Sequence, residues 1–264
     1  MRALEPSPGH HDRQPRLLMY LCAIPQDMEA HHMPRIVALN VQHGGGTRQL
    51  VLAQWLIESQ GDVLVLPEWR SSSTVLDAEL RSAGYTGSCS LRADRHANGV
   101  AVFSKLPHRA SRVTPAEALK GELLKTEMDH HTLVAAYFPQ AKAKADFFER
   151  CGSLVEQETR PLLILGDLNT GSNHSDIEPG ASRFDCEREF LALSGSHHLT
   201  DLWRAQHGEE AREWTWRSRR NGFRLDHAFA NPSWLARFAN WRCVYDHSPR
   251  ERNITDHSAL VVDC

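Results

Sequence analysis

Short apolar runs that each close on a polar or turn-forming group set the tightest limit on what this 264-residue chain can fold into. In the stretch PLLILGDLNTG, Leu162 to Leu165 run unbroken into Gly166, and Asp167 and Asn169 follow at once. Runs of this length bounded by glycine or proline read as buried strands. RIVALNVQ stops at Gly44–Gly46, DVLVLPEW, GVAVFSKLP and TLVAAYFP are three more, and FRLDHAFAN and SALVVDC close the chain. Helical patterns lie between them. TRQLVLAQWLIES carries Leu50, Ala53, Trp55, Leu56 and Ile57 on one broad face, and AKAKADFFERCGSLVEQE carries Phe147, Phe148, Leu154 and Val155. STVLDAELRSA forms a shorter helix, and two others are expected around Cys186–Leu193 and Leu199–Gln206. Strand and helix alternate in the first half, while the last third is rich in strands. Helices covering two stacked sheets fit this order, and so does a doubly wound parallel sheet.

The net charge of -3 gives no global basic field that would advertise a polyanionic partner. Six scattered cysteines form no CxxC pair and no zinc spacing, so they read as reduced thiols of a cytoplasmic protein, several of them core fillers. The longest early apolar run, Leu17 to Pro25, falls far short of the ~20 residues of a membrane span. Residues 1–33 lack sustained periodicity and are expected to be a disordered extension, with one domain over residues 34–264.

Chemistry-bearing groups gather where the apolar runs stop: Asn40, Glu68, Tyr137, Asp167 with Asn169, Asp226, and Asp256 with His257. Taken singly, Asn40 or Asp167 fits a turn, Glu68 a solvated acid and Tyr137 a core aromatic. Asp226 inside an apolar run is harder to dismiss, because a buried carboxylate needs a partner. No GxSxG, phosphate-binding GxxxxGK[ST] or GxGxxG pattern occurs. Together these groups suit metal-assisted attack on a phosphate, with Glu68 as a hard oxygen ligand for Mg²⁺. A carboxylate would activate water, and amide, phenol and imidazole donors would stabilise charge.

ALNVQ, VLVLPEW, NGVAVFS, AAYFPQ, LILGDLN, TW…FRLDHAF and TDHSALV, in this order, resemble the endonuclease/exonuclease/phosphatase superfamily from Arg35 to Val262. That resemblance implies an α+β fold, a four-layer αββα sandwich of two packed mixed β-sheets flanked by helices. It also implies roles. Glu68 matches the metal-binding glutamate, Asn40 the amide beside it, and Asp256 an acid of the metal site, for Mg²⁺ or Mn²⁺. Asp167, with Asn169 alongside, matches the group that activates water. His257 matches the histidine on the scissile phosphate and Asp226 the carboxylate that orients it. YFPQ looks like the exonuclease III and abasic-endonuclease branch, in which Tyr137 would approach the phosphate, and Trp216, Phe223 and Leu225 match positions that wall a sugar pocket. Independently of family, Arg217, Arg219, Arg220 and Arg224 interleaved with aromatics suit a phosphate-and-stacking surface, and a charged hairpin over the core explains them too.

Some residues depart from that branch. HGGGT replaces its glycine-and-arginine continuation, Gln42 stands where an acid or amide is common, and LPEWR replaces glutamine before and lysine after the glutamate. The expectation is therefore a monomeric, metal-dependent nuclease, acting on DNA more readily than RNA, possible abasic or damaged sites included. A phosphatase of small-molecule or lipid esters is the alternative. A catalytically silent scaffold would show loss of Glu68, Asp167 or His257, and all three are present. Removing residues 1–32 should leave the melting temperature unchanged, and a loss of several degrees in thermal denaturation would contradict the assignment of that segment.

Overall fold

The computed structural model describes residues 34–91, 94 and 96–264. The disordered extension expected over residues 1–33 lies outside them. In chain order the strands are β1 (Arg35–Ala38), β2 (Val63–Trp69), β3 (Thr86–Ser90), β4 (Gly99–Ser104), β5 (Arg109–Arg112), β6 (Glu122–Glu127), β7 (Thr132–Tyr137), β8 (Leu162–Asp167), β9 (Thr200–Asp201), β10 (Trp216–Arg217), β11 (Gly222–Phe223), β12 (Asp226–Ala230), β13 (Arg242–Asp246) and β14 (Ala259–Asp263). Two six-stranded sheets result, ordered β13-β14-β1-β2-β4-β3 and β5-β6-β7-β8-β12-β9. Each is mixed: β1–β2 and β7–β8 run parallel, and the other pairs run antiparallel.

Side-chain alternation along the strands turns these sheets into four layers. Ile36 and Ala38 of β1, Val63 and Val65 of β2, Leu133 and Ala135 of β7, and Leu163 and Leu165 of β8 meet in the core between the sheets. Their neighbours Val37, Leu64 and Leu66 face outward onto α1 (Gln49–Glu58) and α2 (Thr74–Ser82), through Leu52, Leu56, Leu76 and Leu80. Val134, Leu162 and Ile164 face the opposite way, onto α3 (Ala145–Gln157) and α4 (Glu187–Ser194), through Phe147, Phe148 and Phe190. This is the expected αββα sandwich. Among the described residues, no helix is long and apolar enough to cross a membrane.

The structure corrects some local readings. Leu50 does not join the apolar face of α1; it is 61% exposed, and Leu52 takes the buried place. FRLDHAFAN is not one strand. Bonds from Arg224 N to the Asp176 carbonyl and from Leu225 N to the Thr215 side-chain Oγ1 draw the chain out between β11 and β12. Leu199 precedes β9, and the helix of that region, α5 (Leu202–His207), starts where Asp201 accepts a cap bond from Arg204 N. Cys151, Cys243 and Cys264 are buried free thiols, as core fillers should be.

Arg224 is also not part of a phosphate-binding surface. It is fully buried, with Nε 2.6 Å from Asp176 Oδ1 and Nη2 2.6 Å from Asp201 Oδ2. Strand alternation between pocket-facing Phe223 and Leu225 sends it to the opposite side.

Gly166 explains the glycine of the GDLN stretch. Its φ is 138°, and a Cβ there would stand 2.1 Å from the Ala136 carbonyl oxygen of β7. A backbone atom in a paired strand cannot swing aside. Gly166→Ala should therefore lower stability by on the order of 3 kcal/mol, read by denaturant unfolding; an unchanged midpoint would contradict this packing.

Candidate active site

The ladder register of the second sheet sets three polar groups in one row. Tyr137 of β7 pairs with Asp167 of β8, which pairs in turn with Asp226 of β12. All three continue the inward parity of their strands, so they stand at the mouth between the sheets. Asn40, two residues beyond Ala38, arrives from the first sheet with the same parity. Glu68 would not. Leu64 and Leu66 face outward, and strict alternation would send Glu68 with them. A bulge between Pro67 and Trp69, with Glu68 at φ 60°, inserts one extra residue and turns the carboxylate inward.

Two hydrogen bonds close this mouth across the sandwich. Asn40 Nδ2 donates to Asp167 Oδ2 at 2.9 Å, and His257 Nδ1 donates to Asp226 Oδ2 at 2.8 Å. The amide of Asn40 is fixed because Gln42 N donates to its Oδ1 at 2.8 Å. Its nitrogen therefore reaches Glu68 Oε1 as well, at 3.2 Å. Asp167 Oδ1 accepts from Asn169 N at 2.9 Å, while Asn169 Nδ2 donates to Phe138 O. Behind this turn, buried Lys144 donates from Nζ to Asn169 O at 2.5 Å. Thr215, also buried, stitches the remaining side: its Oγ1 accepts from Leu225 N and Asp226 N, and its carbonyl accepts from Ser258 N.

Burial raises the Asp167 carboxyl to about 7, with Asp226 and Glu68 adding to the effect against the pull of His257 and the Asn169 amide. Burial opposes a charged His257, but Asp226, and then Asp167 and Asp256, outweigh it and hold that imidazole at about 10. With Nδ1 committed to Asp226, Nε2 is left for the cavity. Burial, followed by the charge of Glu68, drives the Tyr137 phenol well above its ordinary value. Its oxygen accepts from Asn98 Nδ2 at 3.2 Å, so the phenolic proton is available to a ligand.

A cavity of about 340 Å³ collects Glu68, Asp167, Asn169, Asp256 and His257, and Phe184, Trp216, Phe223 and Leu225 wall its other side. Asp256 is anchored there by Trp216 Nε1 at 3.0 Å. Arg217, Arg219 and Arg220 are not brought to it: Arg217 pairs with Glu178, and Arg219 and Arg220 lie exposed at the turn between β10 and β11. Sequence reading missed His43, Arg70, Asn98, Lys144, Phe184 and Thr215. The HGGGT departure was the one visible signal for His43. Residues 42–46 all adopt positive φ, a path that Gly44 and Gly45 take readily, and His43 N donates to Glu68 Oε2 at 2.8 Å.

The donors suit a hard divalent ion. Among the described residues, no three Asp, Glu, His or Cys side chains form a metal cage. Mg²⁺ needs no such cage, since it keeps several waters and takes one or two carboxylates. Glu68 and Asp256 are the candidates. Asn40 stands beside them: its nitrogen bonds Asp167 and Glu68, and its oxygen, which accepts from Gln42 N, keeps a second lone pair for an ion.

The profile of the Endonuclease/Exonuclease/phosphatase family matches residues 37–257, nearly the whole described chain. This chain belongs to that family. No curated protein matches the sequence. Solved structures with the family's fold include an AP endonuclease from Archaeoglobus fulgidus, at 22% identity and TM-score 0.70. Two others are a 3' phosphatase, NExo, from Neisseria bound to product DNA hairpin (20%, TM-score 0.74) and a 3'-5' exonuclease, NExo, from Neisseria meningitidis (20%, TM-score 0.72). In each case 87% of this chain aligns with 98% of the other. At such identity the likeness is one of fold.

The Asp226–His257 pair can be tested in metal-free protein. His257 should stay protonated through pH 8 in NMR titration, and Asp226→Asn should bring its titration down toward the ordinary histidine range. A wild-type His257 that titrates near 6.5 would contradict the pairing.

Proposed function

We propose that this protein is a divalent-metal-dependent phosphodiester hydrolase acting on nucleic acid, with DNA the favoured substrate. The observation that carries this reading is one cavity with acids and an imidazole on one side and an aromatic-apolar wall on the other. Acids and imidazole serve a phosphate, whereas the wall suits a sugar or base that a bare phosphate ester would lack. A neighbour of the same fold bound to product DNA hairpin adds support.

A bound Mg²⁺ or Mn²⁺ would polarise a phosphoryl oxygen and ease departure of the leaving oxygen, with Glu68 and Asp256 holding it. Asp167 orients the attacking water and takes its proton, and a carboxyl raised toward 7 is well matched to that task near neutral pH. Asn40 and the Asn169 backbone keep both Asp167 oxygens in place. Protonated His257 donates from Nε2 to a phosphate oxygen as negative charge builds up, and Asp226 fixes its ring. Tyr137 gives a second donor to the phosphate. Trp216, Phe223, Leu225 and Phe184 pack against the sugar of the adjoining nucleoside.

Steady-state kinetics with Mg²⁺ or Mn²⁺ should be run on abasic duplex, nicked duplex, single strands, RNA and phosphoinositides. On the best substrate, Asp167→Asn should lower kcat by about 10²–10⁴ with little change in KM. Glu68→Gln should raise the Mg²⁺ concentration needed for activity. Turnover of phosphoinositides alone would contradict the nucleic-acid reading, and an active Asp167→Asn enzyme would remove Asp167 from the chemistry.

A further inference from the structure

Beside the catalytic cavity lies a second one, of about 430 Å³, and the two share His43 and Gln140. Its central feature is Arg70. The guanidinium is half-buried, with Nε donating to Asn98 Oδ1 at 2.6 Å and Nη2 lying 3.0 Å from His43 Nδ1. Asn98 carries no charge, and the nearest carboxylate, Glu68, is held on His43 Nδ1 at 2.8 Å and makes no direct bond to Arg70. A guanidinium held in one plane, with no carboxylate bonded to it directly, is set to receive an anion from the cavity. A planar guanidinium with a free edge is well suited to phosphate.

The surroundings of Arg70 fit the same ligand. Asn98 ties Arg70 to the phenol of Tyr137, which lines this second cavity and pairs in the ladder with Asp167 of the first. Lys120 adds a second cation to the lining, and exposed Asp94 is its only carboxylate among the described residues. Leu119, on the lip, is 88% exposed, an apolar side chain left open to solvent beside a cationic floor. By contrast, the catalytic cavity next door is lined by Glu68, Asp167 and Asp256.

We infer that the second cavity binds the next nucleotide of the substrate strand, with its phosphate on Arg70 and its sugar or base against Leu119. This rests on the nuclease reading and narrows it. The preferred substrate carries at least one phosphate beyond the one being cleaved, which excludes an isolated diester, a nucleotide monoester or a simple lipid headgroup as the best substrate.

The test compares a dinucleoside monophosphate with the same molecule bearing one further terminal phosphate, at either the 5' or the 3' end. For one of the two phosphorylated forms, wild-type kcat/KM should rise about 10- to 100-fold, mainly through KM, the gain expected of a charge-assisted contact. Arg70→Met should collapse that gain and Arg70→Lys should recover part of it. Lys120→Glu, on an exposed side chain, should cut it several-fold and serves as the test if Arg70→Met fails to fold. Equal wild-type efficiency on all three molecules, or a gain that survives these substitutions, would overturn the subsite alone. No turnover of any of them by folded protein with Mg²⁺ or Mn²⁺ would overturn the nuclease reading, and the subsite with it.

Discussion

Asp167 and Asp226 are each 1% exposed, and everything at the mouth of the sandwich answers to that fact. A buried carboxylate without a partner is among the costliest features a fold can carry. Here each partner comes from the opposite sheet: Asn40 for Asp167 and His257 for Asp226. The same two contacts that offset burial thus lock the sheets at one relative position. They also bring acids, an amide and an imidazole into the lining of one cavity. Removing His257 would leave the Asp226 charge buried and unanswered, a change that typically costs about 3–5 kcal/mol.

Strain gathers around this clamp. Gln42, His43, Glu68 and Asn169 all take positive φ, a region that side chains other than glycine seldom enter. Each departure has a visible product. The turn at residues 42–46 lays His43 on Glu68, the bulge turns Glu68 inward, and the Asn169 turn lets its amide support Asp167. Such conformations cost about 1–3 kcal/mol each and persist only where surrounding packing determines them. Lys144 against the Asn169 carbonyl and Ser73 Oγ donating to the Gly44 carbonyl show where that support lies.

Much of this was legible in the sequence, because strand alternation is strict. Once Leu163 and Leu165 face the inner core, Asp167 must follow them, and Asp226 follows from Ala228 and Ala230 in the same way. Glu68 was singled out and lines the cavity, yet alternation alone points it outward; a bulge leaves no mark that a period of two can reveal. Arg224 failed for the opposite reason. It sits among aromatic and basic residues, and its two acidic partners, Asp176 and Asp201, are remote in sequence. Asn98, Arg70 and His43 come from three separate segments and meet only in the folded chain.

The account stands on Asn40 and Asp167 working as one unit across the sandwich. A double-mutant cycle on kcat/KM, with Asn40→Ala, Asp167→Asn and the double variant, measures this directly. If the bond holds the reactive carboxylate in place, each single change should be severe. The double variant should then be no more than about threefold worse than Asp167→Asn alone. Losses that multiply independently in folded proteins would contradict the coupling on which this site is built.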